Sequence, residues 1–325
     1  MKKNDKKDSK QRSIRRPLYN LGLIVVIILS IIFLIISVFL YFRMIFDPTY
    51  FNSKGDLNIE LASEFGSFFG GLIGTTAGIA GSLLIVLVFL IQNKQAKITQ
   101  LENIYFKLID CHNENVKNLT ITDYRRKNKE KILGRRAFVI FKLQIFDCLD
   151  LVEELDNEYD NILDNEEIID IAYMVFYYGL SDKWEEFSKN IYLRYLKKIP
   201  EIHSSLLTKV KEKKRIHNIN LGRTNQTSLS AYFRNFSNAI MIIHNTPLLS
   251  KKQKYEYVKI LRSQLCNSEQ LVLYFNVMSR FGKDWNENNL LQDYSLIKNL
   301  PINYIDARYD FRKYYKLRYE DEDYN

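Results

Sequence analysis

The sequence predicts an all-α protein in which a two-helix transmembrane hairpin is followed by an α-helical cytoplasmic domain. Two uncharged apolar stretches lie near the N-terminus, and each is longer than the roughly 20 residues that cross a bilayer core. Beyond them, apolar residues recur at the three- and four-residue spacing of an amphipathic helix. No stretch shows a persuasive strand pattern of alternating apolar and polar residues.

The first apolar stretch runs from Leu18 to Phe42 and is closed by Arg43, and the second runs from Phe65 to Ile91. The first stretch is longer than the apolar core of a signal peptide, and no cleavage site of small residues follows it. We therefore predict transmembrane helix 1 at 18–43 and a glycine-rich transmembrane helix 2 at 64–92.

Charge predicts the topology of this hairpin. Residues 1–16 contain eight basic and two acidic side chains, whereas the segment between the spans, counted through Glu64, carries four acidic residues and one lysine. Because positive residues stay in the cytoplasm, both termini are expected inside. The resulting organisation is a basic cytoplasmic tail at 1–17, a short external loop at 44–63, a helical cytoplasmic domain at 93–301, and an aromatic and basic tail with an acidic end at 302–325.

The net charge of +9 comes mostly from the N-terminal tail. Residues 95–325 contain 36 basic and 32 acidic residues, so charge alone does not argue for a nucleic-acid partner. Cys111, Cys148 and Cys266 are isolated, and reduced thiols are the default in the cytoplasm. No Cys or His spacing predicts a metal site and no glycine-rich loop predicts a nucleotide site, so we expect no metal and no cofactor.

Six of the twelve glycines lie within the second apolar stretch. We call the row of small residues that repeats every four positions the glycine stripe: Gly66, Gly70, Gly74, Gly78 and Ser82. On a helix this spacing leaves one face without bulky side chains, so that another helix can approach closely in lipid. Two partners are open: the first span, with Ser30 and Ser37 on one face, and a second copy of the chain.

No Gly or Pro occurs between Ser82 and Leu133, so the second span can continue into the cytoplasm as one helix. An apolar seam follows the span, at Ile98, Leu101, Tyr105, Leu108 and His112. It suits a parallel coiled coil between subunits or packing on the chain's own domain. Further helices are predicted at 137–155, 168–180, 184–196, 229–243, 251–265 and 268–281, the last two with capping signals at Ser250/Gln253 and Asn267/Gln270.

A metal-independent nuclease would need an arginine and a histidine close enough to act on one phosphate. Arg234 and His244 are the nearest candidates, but ten residues put them about 15 Å apart along one helix. Arg262 is a further candidate. The basic run 209–215 and the aromatic and basic segment 304–319 could contact RNA, but a solvated helix face and core packing explain them equally well.

Three groups of residues suggest a family. They are Phe65 to Gln92, Gly134 to Phe138, and a C-terminal pair, Leu229 to Arg234 and Tyr257 to Leu265, followed by Glu269 and Tyr274 to Asn276. Together they resemble the phage abortive infection proteins of the AbiC type, over roughly residues 60–282. The motif positions are Gly134, Phe138, Tyr232, Phe233, Arg234, Leu261, Arg262, Gln264 and Leu265.

This resemblance implies a bacterial protein of the inner or plasma membrane that limits phage spread by stopping or killing the infected cell. It brings no catalytic residues. We expect the cytoplasmic domain to sense a phage component or a phage-induced host factor, and the membrane helices to carry the response. The expected partners are the lipid bilayer and a second copy of the chain, which would associate through transmembrane helix 2. A membrane-tethered, metal-independent RNase and a non-enzymatic membrane scaffold are the alternatives.

Overall fold

In a computed structural model of the chain, the described residues are 24–25, 27–39, 41–43, 46, 59–123, 130–180, 185–217 and 221–323. They are mostly helical, in agreement with the predicted class. The chain divides into two compact units, Met1–Glu102 and Asn103–Asn325. The predicted basic tail 1–17 and most of the predicted external loop 44–63 lie outside the described residues.

The first unit contains α1 (Ile27–Arg43) and the larger part of α2 (Ile59–Asn118), a helix of 60 residues. As predicted, α2 continues without interruption where the sequence lacks Gly and Pro. Over Gly70–Asn118, α2 is the one described helix long and apolar enough to cross a membrane. The apolar helix α1 is shorter, so the two-span hairpin stays a prediction.

The second unit is a helical domain in which α3 packs against α4, α6 and α9. Its longer helices are α3 (Ala137–Asn157), α4 (Asn165–Tyr178), α5 (Glu185–Tyr192), α6 (Ile202–His217), α7 (Gln226–Asn245), α8 (Lys251–Arg262) and α9 (Asn267–Met278). Three short helices follow, α10 (Lys283–Glu287), α11 (Leu290–Asp293) and α12 (Phe311–Tyr314). The predicted helices are thus present in the described residues, with their ends shifted by a few residues.

A small hairpin was not predicted. Strands β1 (Thr120–Thr122) and β2 (Lys131–Leu133) pair in antiparallel fashion, with Thr120 opposite Leu133. Strands of three residues are too short to show an alternating pattern in the sequence, which explains the omission.

Side chains fix the first turns of α8 and α9. Ser250 and Gln253 form the predicted capping box at α8, in which Gln253 Oε1 accepts a hydrogen bond from the Ser250 backbone N at 2.9 Å. At α9 the predicted box of Asn267 with Gln270 is wrong by one residue. The N-cap is Cys266, whose backbone N donates to Glu269 Oε2 at 2.8 Å, and Gln270 is buried.

A partly buried ion pair joins α4 to the turn that follows α9. The Asp170 carboxylate accepts hydrogen bonds from the backbone N of Arg280 at 2.7 Å, from Arg280 Nη2 at 2.7 Å and from Tyr195 Oη at 2.5 Å. Arg280 Nη1 also donates to the Ile191 carbonyl at 2.8 Å. One carboxylate therefore joins three segments that are far apart in the sequence.

The two segments that could have met RNA have partners inside the domain. In the basic run, Lys209 pairs with Glu158 at 2.7 Å and Lys213 with Glu154 at 2.6 Å. In the C-terminal tail, Tyr319 is buried and Arg312 lies 4.3 Å from the centre of its ring. The C-terminal tail therefore packs against the core of the domain, as the alternative to RNA contact predicted.

Two glycines with positive φ provide a matched test of backbone constraint. A Cβ on Gly179 (φ 70°) would lie 2.6 Å from the Arg223 carbonyl carbon, whereas a Cβ on Gly134 (φ 64°) would meet no atom closer than 3.9 Å. Both alanine variants pay about 1–2 kcal/mol for the left-handed backbone, and Gly179→Ala adds a clash of about 1–3 kcal/mol. We expect urea unfolding of the full chain in detergent to show the larger loss for Gly179→Ala. Equal losses would mean that the backbone at Arg223 yields freely.

Candidate functional site

The glycine stripe lies on an open face of α2. A Cβ built on Gly66, Gly70, Gly74 or Gly78 would have no neighbour within 4 Å among the described residues. A groove of about 580 Å³ follows this face. Its lining is Gly74, Thr75, Gly78, Ile79, Ser82, Leu83 and Val86. The stripe therefore has room for the backbone of another helix.

Helix α1 contacts α2 on a different face. Ser37 Oγ lies 2.8 Å from Thr76 Oγ1, and Ser37 is buried. Thr76 is two residues from both Gly74 and Gly78, which corresponds to about 200° around the helix. Ser37 of α1 therefore contacts the side of α2 that faces away from the glycine stripe.

Beyond residue 102, α2 packs against helices of the domain. Tyr105 Oη donates a hydrogen bond to the Tyr257 carbonyl at 2.6 Å. The His112 ring lies 4.8 Å from the ring of Tyr232 and 5.3 Å from that of Phe236. Tyr105 and His112 thus pack on the chain's own domain, which is one of the two arrangements that the apolar seam suits.

Two of the three groups that carry the resemblance, Gly134 to Phe138 and the C-terminal group, converge where His112 lies. The Phe138 ring is 4.9 Å from the Tyr232 ring, and Arg135 Nε is 3.5 Å from Glu269 Oε2. We call this cluster the His112 pocket, made of His112, Arg135, Phe138, Tyr232, Phe236 and Glu269. It joins α2, the start of α3, α7 and α9, four segments that the chain order separates widely.

The His112 pocket buries polar atoms that lack hydrogen bonds. Both ring nitrogens of His112, the hydroxyl of Tyr232 and Oε1 of Glu269 have no partner among the described residues. Burial and the nearby charge of Arg135 lower the pKa of His112 to about 4. Burial raises the pKa of Glu269, although the hydrogen bond from Cys266 and the charge of Arg135 act in the opposite direction.

The three catalytic candidates, Arg234, His244 and Arg262, make their described contacts outside the His112 pocket. Arg234 is exposed, and its Nε donates to the Ser230 carbonyl of its own helix at 3.2 Å. His244 Nδ1 lies 3.0 Å from Tyr294 Oη, and Arg262 Nη1 donates to the Tyr294 carbonyl at 3.0 Å. His244 and Arg262 thus meet at Tyr294, whereas the described contacts of Arg234 include neither.

The contacts around Tyr294 indicate a structural role in holding a loop, not a catalytic role. Arg262 is buried, and its Nη1 also donates to the Ser295 carbonyl at 3.1 Å, so it holds the chain after α11. Burial and the charge of Asp293 raise the pKa of Tyr294 to about 12, so its hydroxyl stays protonated at neutral pH and does not serve as a general base. Among the described residues, no group of His, Cys, Asp or Glu could hold a metal ion.

The remaining motif residues mostly fill the core. Leu261 and Leu265 are buried, and the Phe233 ring packs edge-on against Tyr232 at 5.1 Å. Gln264 Nε2 donates to Ser263 Oγ at 3.4 Å. The motif therefore marks a structural junction in this part of the chain.

Residues 224–305 match the model of a protein family described as putative phage abortive infection protein. Over these residues the chain is similar to that family. We call residues 224–305 the abortive infection segment, which contains α7 to α11. The match confirms the resemblance over this segment, while the glycine-rich block and the Gly134 block lie outside it. No curated protein and no solved structure matches the chain.

Sequence analysis did not identify the pairing of the abortive infection segment with Arg135 and His112. One signal was present: α9 is apolar on nearly every side, so a glutamate within it, Glu269, must be buried. A buried carboxylate requires cationic or hydrogen-bonding partners, which here are Arg135 and the backbone N of Cys266. From the sequence alone, Arg135 could not be distinguished from the other basic residues as the partner of Glu269.

Proposed function

We propose that this chain is a membrane-anchored anti-phage defence protein that acts by abortive infection. The match of the abortive infection segment is the observation that carries the proposal. In this proposal the domain formed by the second unit senses a phage component or a phage-induced host factor. The membrane helices then carry the response.

The membrane anchor is supported by the exposure of α2. Only 12% of its apolar window is buried, whereas the core helix of a soluble protein buries most of its apolar surface. The contact of Ser37 with Thr76 is what a hairpin of two spans would make. The charge pattern then favours cytoplasmic termini in the bacterial inner or plasma membrane.

Self-association through the glycine stripe is the response that we propose. The stripe and its groove are open, and one face of α2 is left for a second copy while Thr76, on another face, contacts α1. Close approach of two such faces yields packing and backbone contacts that stabilise helix pairs in lipid. Infection would shift the helices between two packings that differ by a few kcal/mol.

One experiment separates this proposal from its alternatives. The chain is expressed in bacteria, the cells are challenged with phage, and membrane potential and RNA integrity are followed in the same culture. Early depolarisation with intact RNA supports the membrane response. RNA cleavage before depolarisation favours the RNase alternative, and unchanged phage growth favours a structural scaffold.

His244 provides a test of the RNase alternative. We expect His244→Gln to protect cells as well as the wild type, because the described contact of the ring is with a hydroxyl that resists deprotonation. Plaque counts on cells with matched protein levels measure the outcome. Loss of protection together with loss of RNA cleavage would instead assign His244 a catalytic part.

A further inference from the structure

The His112 pocket has an unusual balance of forces. Rings of Phe138, Tyr232 and Phe236 hold it together, and each aromatic contact of this type contributes about 0.5–1.5 kcal/mol beyond its buried area. Its unpartnered polar atoms act against closure, since each costs about 1–3 kcal/mol when it is withheld from water. Opening the pocket would hydrate all of these atoms at once.

We propose that the His112 pocket is a latch that keeps the domain's part of α2 seated while His112 is neutral and releases it when His112 binds a proton. The latch would regulate the membrane response and therefore rests on the proposed function. Its physical basis is the cluster of unpartnered groups, which can be tested without any phage.

The charged and titratable groups around His112 explain why a proton would open the latch. Arg135 at the start of α3 adds positive charge, and Tyr232 on α7 presents a neutral hydroxyl. Glu269 on α9, preceded by Cys266, already faces Arg135 at 3.5 Å. An imidazolium would therefore be buried beside a like charge, with no carboxylate in contact with it among the described residues.

The direction of the pH effect follows from the lowered pKa of His112. The pKa is about 4 in the closed state and about 6.5 when the ring is solvated. The closed state is therefore fully favoured above pH 6.5 and loses stability as the pH falls from 6.5 toward 4. Between pH 7.5 and pH 5.5 the open-to-closed ratio should rise about tenfold.

Hydrogen exchange of the full chain in lipid nanodiscs tests the latch. Exchange rates at residues 103–118 are measured at pH 7.5 and 5.5 and divided by the rates of an unstructured peptide at the same pH. We expect the protection of this segment to fall about tenfold at pH 5.5. Residues of α4, which has no histidine, should keep their protection.

Two variants place the effect on His112. His112→Leu and His112→Phe still fill the His112 pocket with an apolar side chain but cannot take up a proton. Either variant should therefore keep residues 103–118 protected at both pH values. His244→Gln should behave like the wild type, which controls for the other histidine whose pKa burial lowers. A tenfold loss that persists in the His112 variants, or one abolished by His244→Gln, would overturn the proposal.

The wild-type chain gives an independent answer if both His112 variants fail to fold. With ¹³C-labelled histidine, the His112 ring should stay neutral in the closed state down to well below pH 6. Protonation of His112 near pH 6.5 while residues 103–118 remain protected would refute the latch. Neither readout depends on phage protection, so the latch and the proposed function can fail separately.

Discussion

Replacing Gly70 and Gly74 together with leucine should abolish protection against phage while leaving the chain folded and in the membrane. A Cβ at either position has no neighbour within 4 Å among the described residues, so we expect both units to keep their fold. Between two copies, however, the added side chains would keep the helix backbones apart, and close packing in lipid would be lost. Protection should fall to the level of cells without the protein.

The matched control is the alanine pair at the same positions. Gly70→Ala with Gly74→Ala keeps the stripe shallow, because small residues still allow close approach, and we expect it to retain most of the protection. Plaque counts measure protection against phage. Crosslinking with a membrane-permeant reagent that does not react with cysteine measures association between copies. Full protection by the leucine pair would rule out the stripe as part of the response.

Asp170→Ala should lower the free energy of unfolding of the second unit by about 2–4 kcal/mol, since it removes a buried carboxylate and leaves the partly buried guanidinium of Arg280 without its partner. Urea unfolding can be followed by the fluorescence of Trp285, whose ring stacks on Phe236 at 6.0 Å. Lys189→Ala, which removes an exposed ion pair with Glu185, should cost at most about 1 kcal/mol. Similar losses in both variants would contradict the role assigned to the pair of Asp170 and Arg280.

The same carboxylate predicts a dependence on acid. Burial alone would raise the pKa of Asp170, but the hydrogen bonds from Arg280 and Tyr195 and the charge of Arg280 hold it below the usual 3.8. Its contribution to stability is therefore present above about pH 4 and lost as the pH falls through the lowered pKa. This range lies well below that of the latch, so the two effects can be measured separately.

Local signals made much of the helical domain predictable. The face formed by Leu229, Phe236 and Ile240 identified α7, and its end was set by a proline two residues after Asn245. The capping pair at Ser250 and Gln253 identified α8 because both residues act within one turn. Patterns of this kind depend only on neighbours along the chain.

The His112 pocket and the Asp170 pair could not be predicted in the same way. His112 meets Tyr232 across 120 positions, and Asp170 meets Arg280 across 110. Such contacts depend on how helices pack, and the sequence leaves several basic residues as equal candidates for each carboxylate. For the glycine stripe, the sequence identified the open face of α2 but could not show that Ser37 would contact a different face of the same helix.

The four-residue repeat of the glycine stripe also limits how a second copy could lie on α2. Each step of four residues turns the row of glycines by about 40° around the axis, so the row winds around the helix instead of running straight along it. Two such rows face each other only where the helices cross at an angle, which is about −40° for helix pairs of this type in lipid. Two copies joined by the stripe would therefore be closest over a few turns and would diverge on either side of the crossing.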